Sequence, residues 1–180
     1  MYRIRFHGRG GQGMKTASRI LGSAFFLEGF EVQDAPRYGA ERRGAPIFAY
    51  VRASRQTINE RGIIHHPDLV VVADDSLVPI PAAGVLQGLD THTLTLINSH
   101  SSAADWQQRL NLSGTVLILP AMEEVEDRAE LPFVGTTCAG AAARLVGVIS
   151  RDALAGAIRA ELGALGTQLV EKNTDSALHA

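Results

Sequence analysis

Tyr2-Arg3-Ile4-Arg5-Phe6-His7-Gly8-Arg9-Gly10-Gly11-Gln12-Gly13-Met14-Lys15-Thr16 is the stretch around which the rest of the chain arranges itself. Tyr2, Ile4 and Phe6 alternate with Arg3, Arg5 and His7, the period of a strand with two unlike faces. Gly8, Gly10 and Gly13 follow in G-x-G-x-x-G spacing, which permits a tight turn, close approach of backbone to a phosphate and close packing of helix on strand. A helix is predicted from Lys15 to Gly29, with Thr16, Ala17, Ile20, Leu21, Ala24 and Phe25 on one face. Its N-terminal N–H groups and the positive end of its dipole would point into the loop and favour an anion there.

Working outward, Phe30 to Gln33 reads as a short strand. The run Asp34 to Pro46 lacks periodicity and is bracketed by prolines, and a connection of this length inside a compact domain is usually functional. Ile47–Val51 and Asp68–Ala73 read as strands, the second apolar on both faces as a central parallel strand should be. Pro79–Leu89 is predicted as a helix, Thr93–Ile97 and Thr115–Leu119 as strands, and Ala103–Leu110 as the helix between them. The acidic segment Met122–Glu130 is helix-prone and reads as a solvated face or a contact. Thr137–Ile149 is predicted as a buried, alanine-rich helix, and Arg151–Leu162 and Thr167–Ala177 as amphipathic surface helices. Strands alternating with helices imply an α/β fold, a mostly parallel sheet covered on both faces, in a single domain spanning residues 1–180.

Composition narrows the function. With 180 residues, 46% hydrophobic and 20% charged, the chain can bury a core of its own. A net charge of −2 gives no reason to expect nucleic acid or an anionic membrane surface. The one cysteine, Cys138, cannot pair within the chain or hold zinc or an iron–sulfur cluster by itself, and reads as a small core hydrophobe. No leader or membrane span is evident, so a cytoplasmic, reduced, soluble setting is expected.

Parallel sheets bind ligands at the carboxyl ends of their strands, where the glycine loop, the Arg37–Pro46 loop and Asp74-Asp75 are all expected to lie. Asp34 stands about where a dinucleotide fold places the acid for a ribose hydroxyl, so the glycine pattern by itself reads as NAD(P) binding. No second half with a hydride-transfer site accompanies it. Arg42 and Arg43 read either as a solvated charge run or, beside a phosphate loop, as guanidinium contacts to an anion or partner. His65-His66 reads as loop rather than metal site, Asp74-Asp75 as a helix cap before a catalytic pair, and Trp106 as a core or docking aromatic.

Taken together, Arg5-Phe6-His7-Gly8-Arg9-Gly10-Gly11-Gln12-Gly13, Tyr38-Gly39-Ala40-Glu41-Arg42-Arg43-Gly44-Ala45-Pro46, Pro67-Asp68-Leu69-Val70-Val71-Val72 and Glu171-Lys172-Asn173 resemble the gamma subunit of the 2-oxoacid:acceptor oxidoreductases, typified by pyruvate:ferredoxin oxidoreductase. The resemblance implies a Rossmann-like three-layer fold and a place in an assembly with alpha, beta and delta-type subunits. That assembly oxidatively decarboxylates a 2-oxoacid with thiamine diphosphate, Mg2+ and [4Fe-4S] clusters held by the partners. It delivers electrons to ferredoxin or, through a flavin subunit, to NAD, and releases acyl-CoA and CO2. The family serves pyruvate, 2-oxoglutarate, branched-chain and aryl 2-oxoacids such as phenylglyoxylate, recognised mainly by other subunits. Carried over by motif position, Gly8, Arg9, Gly10, Gly11, Gln12, Gly13, Arg42 and Arg43 would form part of a coenzyme A site, with no catalytic residue and no metal ligand in this chain. A pyrophosphate and a 3′-phosphate suit helix-start N–H groups and arginines at least as well as NAD does. One departure is the absence of the asparagine that members often carry early in the helix near Gly135.

Overall fold

The computed structural model describes residues 1–36, 44–112, 114–120 and 133–180. Arg42 and Arg43, like the acidic run Met122–Glu130, lie outside the described residues. Among those described, six strands form one sheet: β1 (Tyr2–Arg9), β2 (Glu31–Pro36), β3 (Pro46–Ser54), β4 (Leu69–Val72), β5 (Leu94–Ser99) and β6 (Thr115–Pro120), in the order β2-β3-β1-β4-β5-β6. β1 is parallel to β4, β4 to β5 and β5 to β6, while β3 is antiparallel to both β1 and β2. Only β3 therefore runs against the rest. The α-helices among the described residues are α1 (Met14–Leu27), α2 (Ala103–Leu110), α3 (Val134–Val146), α4 (Arg151–Leu162) and α5 (Thr167–His179).

The two faces of the sheet are covered very differently. Ile4, Phe6, Leu69, Val71 and Leu96 point into a core closed by α1, α3, α4 and α5. Phe25 of α1 meets Tyr2 at 5.4 Å and Phe30 at 5.2 Å between ring centroids, which joins the helix to both ends of its connection. α3 is buried at every position from Gly135 to Ala143, as a helix apolar all round must be. Val70, Val72, Ile97 and Val116 point the other way, into a smaller cluster with Trp106 of α2 and the turns carrying Leu77, Val78, Ala83 and Val85. No described helix is long and apolar enough to cross a membrane.

The helix predicted over Pro79–Leu89 does not form. That segment makes a short 3-10 turn at Pro81–Ala83 and then further turns, with Gly84 and Gly88 at φ 68° and 69°. The reason lies in β1. Arg5 and His7, predicted on a polar face, are both buried. A buried guanidinium needs acceptors, which a regular helix would not offer because its carbonyls are used internally. Arg5 donates to the carbonyls of Ile64 (3.3 Å) and Val85 (2.9 Å). His7 stacks on Phe48 and places Nδ1 3.1 Å from the Ala83 carbonyl. Because a carbonyl only accepts, Nδ1 must carry the proton. Burial pushes the His7 pKa down to about 3 and that of Arg5 down to about 10.

The His7 shift makes stability depend on pH. Between pH 6.5 and about 3 the unfolded chain binds a proton at this ring that the folded chain does not, so stability falls as pH drops through that window. Denaturant unfolding of the chain should show a loss of up to about 1.4 kcal/mol per pH unit below 6.5 that His7→Gln removes; parallel pH profiles for the two would contradict the assignment. Helix packing makes a second prediction. A Cβ at Gly140 of α3 would sit 2.1 Å from the Ala177 carbonyl of α5, whereas one at Gly156 of α4 would only touch the tip of Leu27 at 3.4 Å. Gly140→Ala should cost about 2 kcal/mol or more by denaturant midpoint, and Gly156→Ala should be neutral or stabilise by about 0.5–1 kcal/mol. Equal effects at the two glycines would contradict this packing.

Candidate functional site

The glycine loop follows β1 directly at the carboxyl edge of the sheet, and its three spaced glycines do three different things. Gly8 makes room for the first residue of α1, since a Cβ there would lie 2.7 Å from the Met14 side chain. Gly10 continues the strand: its N–H donates to the Ala45 carbonyl at 2.9 Å and its own carbonyl accepts from the Gly44 N–H at 3.2 Å. Gly13 caps α1 in the left-handed region at φ 75°, which a side chain would strain. Gly11, also at positive φ, has open space where a Cβ would stand. The loop therefore presents backbone at Gly11 and at the opening turn of α1, where the helix dipole has its positive end. The amide of Gly10 is already used.

The side chains of the loop are tied back into the fold. Arg9 donates through Nε to Asp74 Oδ2 (3.1 Å), through Nη2 to the Ser76 hydroxyl (2.8 Å) and through Nη1 to the Gly44 carbonyl (3.0 Å). Gln12 accepts from the Arg9 backbone N–H at 2.7 Å and donates to Asp74 Oδ2 at 3.2 Å. Asp74 lies just past the end of β4, caps a 3-10 turn by accepting from the Ser76 N–H, and also accepts from the Ser76 hydroxyl. Partial burial works to raise the Asp74 pKa. The Ser76 hydroxyl, the Arg9 charge, the Gln12 amide and the Ser76 N–H outweigh it and hold the carboxyl below its usual range. Asp74 is thus the cap that its sequence position implies and, in addition, the hub of the loop. Its pairing with Arg9 was recoverable only with the strand order in hand: His7 is level with Val72, so two residues on Arg9 comes level with Asp74.

A second helix start converges on the same place. The backbone of Gly135, in the first turn of α3, packs against the loop so closely that a Cβ would be 2.6 Å from the Gly13 carbonyl and 3.0 Å from that of Gln12. Asn173 of α5, fully buried, accepts from the Phe133 N–H at 2.7 Å and donates to the Leu169 carbonyl at 2.9 Å. It caps α3 from a neighbouring helix, which gives Asn173 of the Glu171-Lys172-Asn173 motif a role no local pattern reveals. Two dipoles of α1 and α3 thus bring their positive ends to one corner of the carboxyl edge.

Other residues singled out in the sequence fall elsewhere. Asp34 pairs with Val51, which pairs with Ile4, so it stands level with a residue four positions before Gly8 and one strand beyond β3. That is about 13 Å along the strand and about 10 Å across the sheet from the loop, too far to hold the ribose of a dinucleotide seated there. His65 and His66 line a cavity of about 510 Å³ at the opposite end of the sheet, between Arg3, Arg52, Arg61 and His92. Glu60 in that cavity already bridges Arg3 and Arg52. Trp106 is buried and donates its indole N–H to Ser99, which in turn donates to Asp75. Cys138 is fully buried, with its thiol pushed up to about 12 by desolvation. Among the described residues no group of three or more His, Cys, Asp and Glu side chains could hold a metal ion.

Residues 3–180 match the family Pyruvate ferredoxin/flavodoxin oxidoreductase. The pyruvate/ketoisovalerate oxidoreductases common subunit gamma of Pyrococcus furiosus is 36% identical over 181 residues, covering 100% of this chain and 95% of that relative. The crystal structure of the pyruvate oxidoreductase subunit PORC of Thermotoga maritima superposes with a TM-score of 0.80 at 28% identity, over 99% of this chain and 93% of that one. The 2-oxoglutarate:ferredoxin oxidoreductase of Magnetococcus marinus, solved with 2-oxoglutarate, coenzyme A and succinyl-CoA bound, shares the fold at a TM-score of 0.66 and 16% identity, over 98% of this chain and 29% of that one. The glycine loop and the helices that close on it thus belong to a chain of the pyruvate ferredoxin/flavodoxin oxidoreductase family, similar along its whole length to the gamma subunits of these complexes.

Proposed function

We propose that this chain forms one wall of a coenzyme A site in a thiamine diphosphate- and iron–sulfur-dependent 2-oxoacid oxidoreductase, and that it carries no complete active site itself. The observation that supports this reading most is the division of labour in the glycine loop. Arg9 and Gln12 are turned inward on Asp74, so what the loop offers outward is backbone at Gly11 and the first turn of α1, beside the start of α3. Backbone N–H groups at helix starts suit a pyrophosphate and carry little preference for the rest of the ligand. Arg42 and Arg43, in the segment that ends at Gly44, would supply the bidentate charge that a pyrophosphate or 3′-phosphate needs. The larger Magnetococcus marinus enzyme, solved with 2-oxoglutarate, coenzyme A and succinyl-CoA bound, shares this fold.

Oxidative decarboxylation to acyl-CoA and CO2 would rest with thiamine diphosphate, Mg2+ and [4Fe-4S] clusters on alpha, beta and delta-type partners, with ferredoxin or a flavin/NAD subunit as acceptor. One buried, high-pKa cysteine cannot furnish the roughly four thiolates that a cluster takes. The placement of Asp34 disfavours a free-standing NAD(P) protein.

In the assembled enzyme, Arg42→Ala with Arg43→Ala should raise the KM for CoA by about tenfold, with a much smaller effect on the KM for the 2-oxoacid. Unchanged CoA kinetics in a normally assembled double variant would remove the arginines from the site. Calorimetric titration of the isolated chain with NAD(H) should show no binding; tight binding would restore the dinucleotide reading.

A further inference from the structure

We infer that Asp74 is a positioning residue for the CoA phosphates, holding the glycine loop and the base of the arginine-bearing loop in one fixed arrangement through Arg9 and Gln12. This inference rests on the CoA reading above and deepens it.

One carboxylate reaches both walls of the corner. Oδ2 accepts from Arg9 Nε and Gln12 Nε2, and Oδ1 accepts from the N–H and hydroxyl of Ser76. Arg9, so oriented, donates from Nη1 to the carbonyl of Gly44, the residue that follows Arg43 in the chain. The backbone of Gly10 pairs with Gly44 and Ala45 at the same point. Gln12 completes the ring by accepting from the Arg9 N–H, which fixes the width of the turn. The turn from Arg9 to Gln12, the Ser76 turn and the return of the basic loop are therefore all referred to Asp74. A phosphate held by backbone N–H groups gains most when those groups converge before it arrives, because ordering them on binding would cost affinity.

Simple charge and positioning predict opposite signs. Asp74 puts a negative charge beside a site for anions. If charge were all that mattered, Asp74→Asn would remove a repulsion, release Arg9 and tighten CoA. If Asp74 positions the loop, the same change weakens CoA. An asparagine whose oxygen faces the Ser76 N–H must turn its NH2 toward Arg9 Nε and Gln12 Nε2, which are donors, so it cannot hold both sides.

The test is calorimetric CoA binding to the assembled oxidoreductase, with steady-state KM values for CoA and for the 2-oxoacid, and hydrogen exchange of the segments 8–13 and 44–46. Asp74→Asn is expected to raise the CoA Kd and KM about tenfold, to leave the KM for the 2-oxoacid within about twofold, and to speed exchange in both segments. Unchanged or tighter CoA binding overturns the inference. Should Asp74→Asn fail to assemble, Ser76→Ala removes one partner each of Asp74 and Arg9 while sparing their ion pair, and should weaken CoA about threefold; no change there also overturns it. The Arg42→Ala, Arg43→Ala assembly is measured alongside. If only that variant loses CoA affinity, the positioning role falls and the CoA reading stands; if neither responds, both fall.

Discussion

A guanidinium taken out of water must find acceptors, and this need shapes half of the molecule. Arg5 sits in the middle of β1, near the centre of the sheet, and is buried. Its partners are carbonyls, those of Ile64 and Val85, and neutral His7 next to it takes the carbonyl of Ala83. Carbonyls in regular helices are unavailable for this, so the layer over that part of the sheet is a series of turns. The opposite face of β1 carries Ile4 and Phe6, demands only apolar partners, and is closed by helices. The asymmetric three-layer fold follows from one strand whose alternate residues make different demands.

The same alternation carries Arg9 to the carboxyl edge. Arg3, Arg5, His7 and Arg9 lie along one side of β1, and the last of them emerges where the strand becomes the glycine loop. There Arg9 finds Asp74 at the end of the parallel neighbour β4 and Gly44 at the return of the antiparallel neighbour β3. The insertion of β3 between β2 and β1 matters as much. It carries Asp34 away from the loop and brings Gly44 and Ala45, just before β3, against Gly10. A loop with dinucleotide spacing is thereby set in surroundings unsuited to a dinucleotide's ribose.

Much of this was legible in the residues, for identifiable reasons. α2 and α4 occupy the ranges that their periodicity predicts, and β4 is buried on both faces as its unbroken apolar run requires. The glycine spacing announced a strand, a tight loop and a helix, all of which are present. What stayed hidden depends on contacts far apart in sequence. The Pro79–Leu89 run was predicted helical in spite of Gly84 and Gly88, both held at positive φ, while the bond of Arg5 to the Val85 carbonyl, 80 residues away, left no local signal. Strand order, and with it the remoteness of Asp34 and the nearness of Asp74 to Arg9, is set by pairing rather than by local pattern. Asn173 appeared only as part of a motif; its role in capping α3 needs α5 laid against α3.

On the reading proposed above, the phosphates of CoA are held at the junction of the glycine loop with α1 and α3. The most direct measurement is a structure of the assembled oxidoreductase with CoA bound. A CoA phosphate oxygen within about 3.2 Å of a backbone N–H between Gly11 and Thr16 is the predicted result. A fully occupied CoA whose phosphates lie on partner subunits alone, more than about 8 Å from this loop and thus beyond direct or single-water contact, would contradict it.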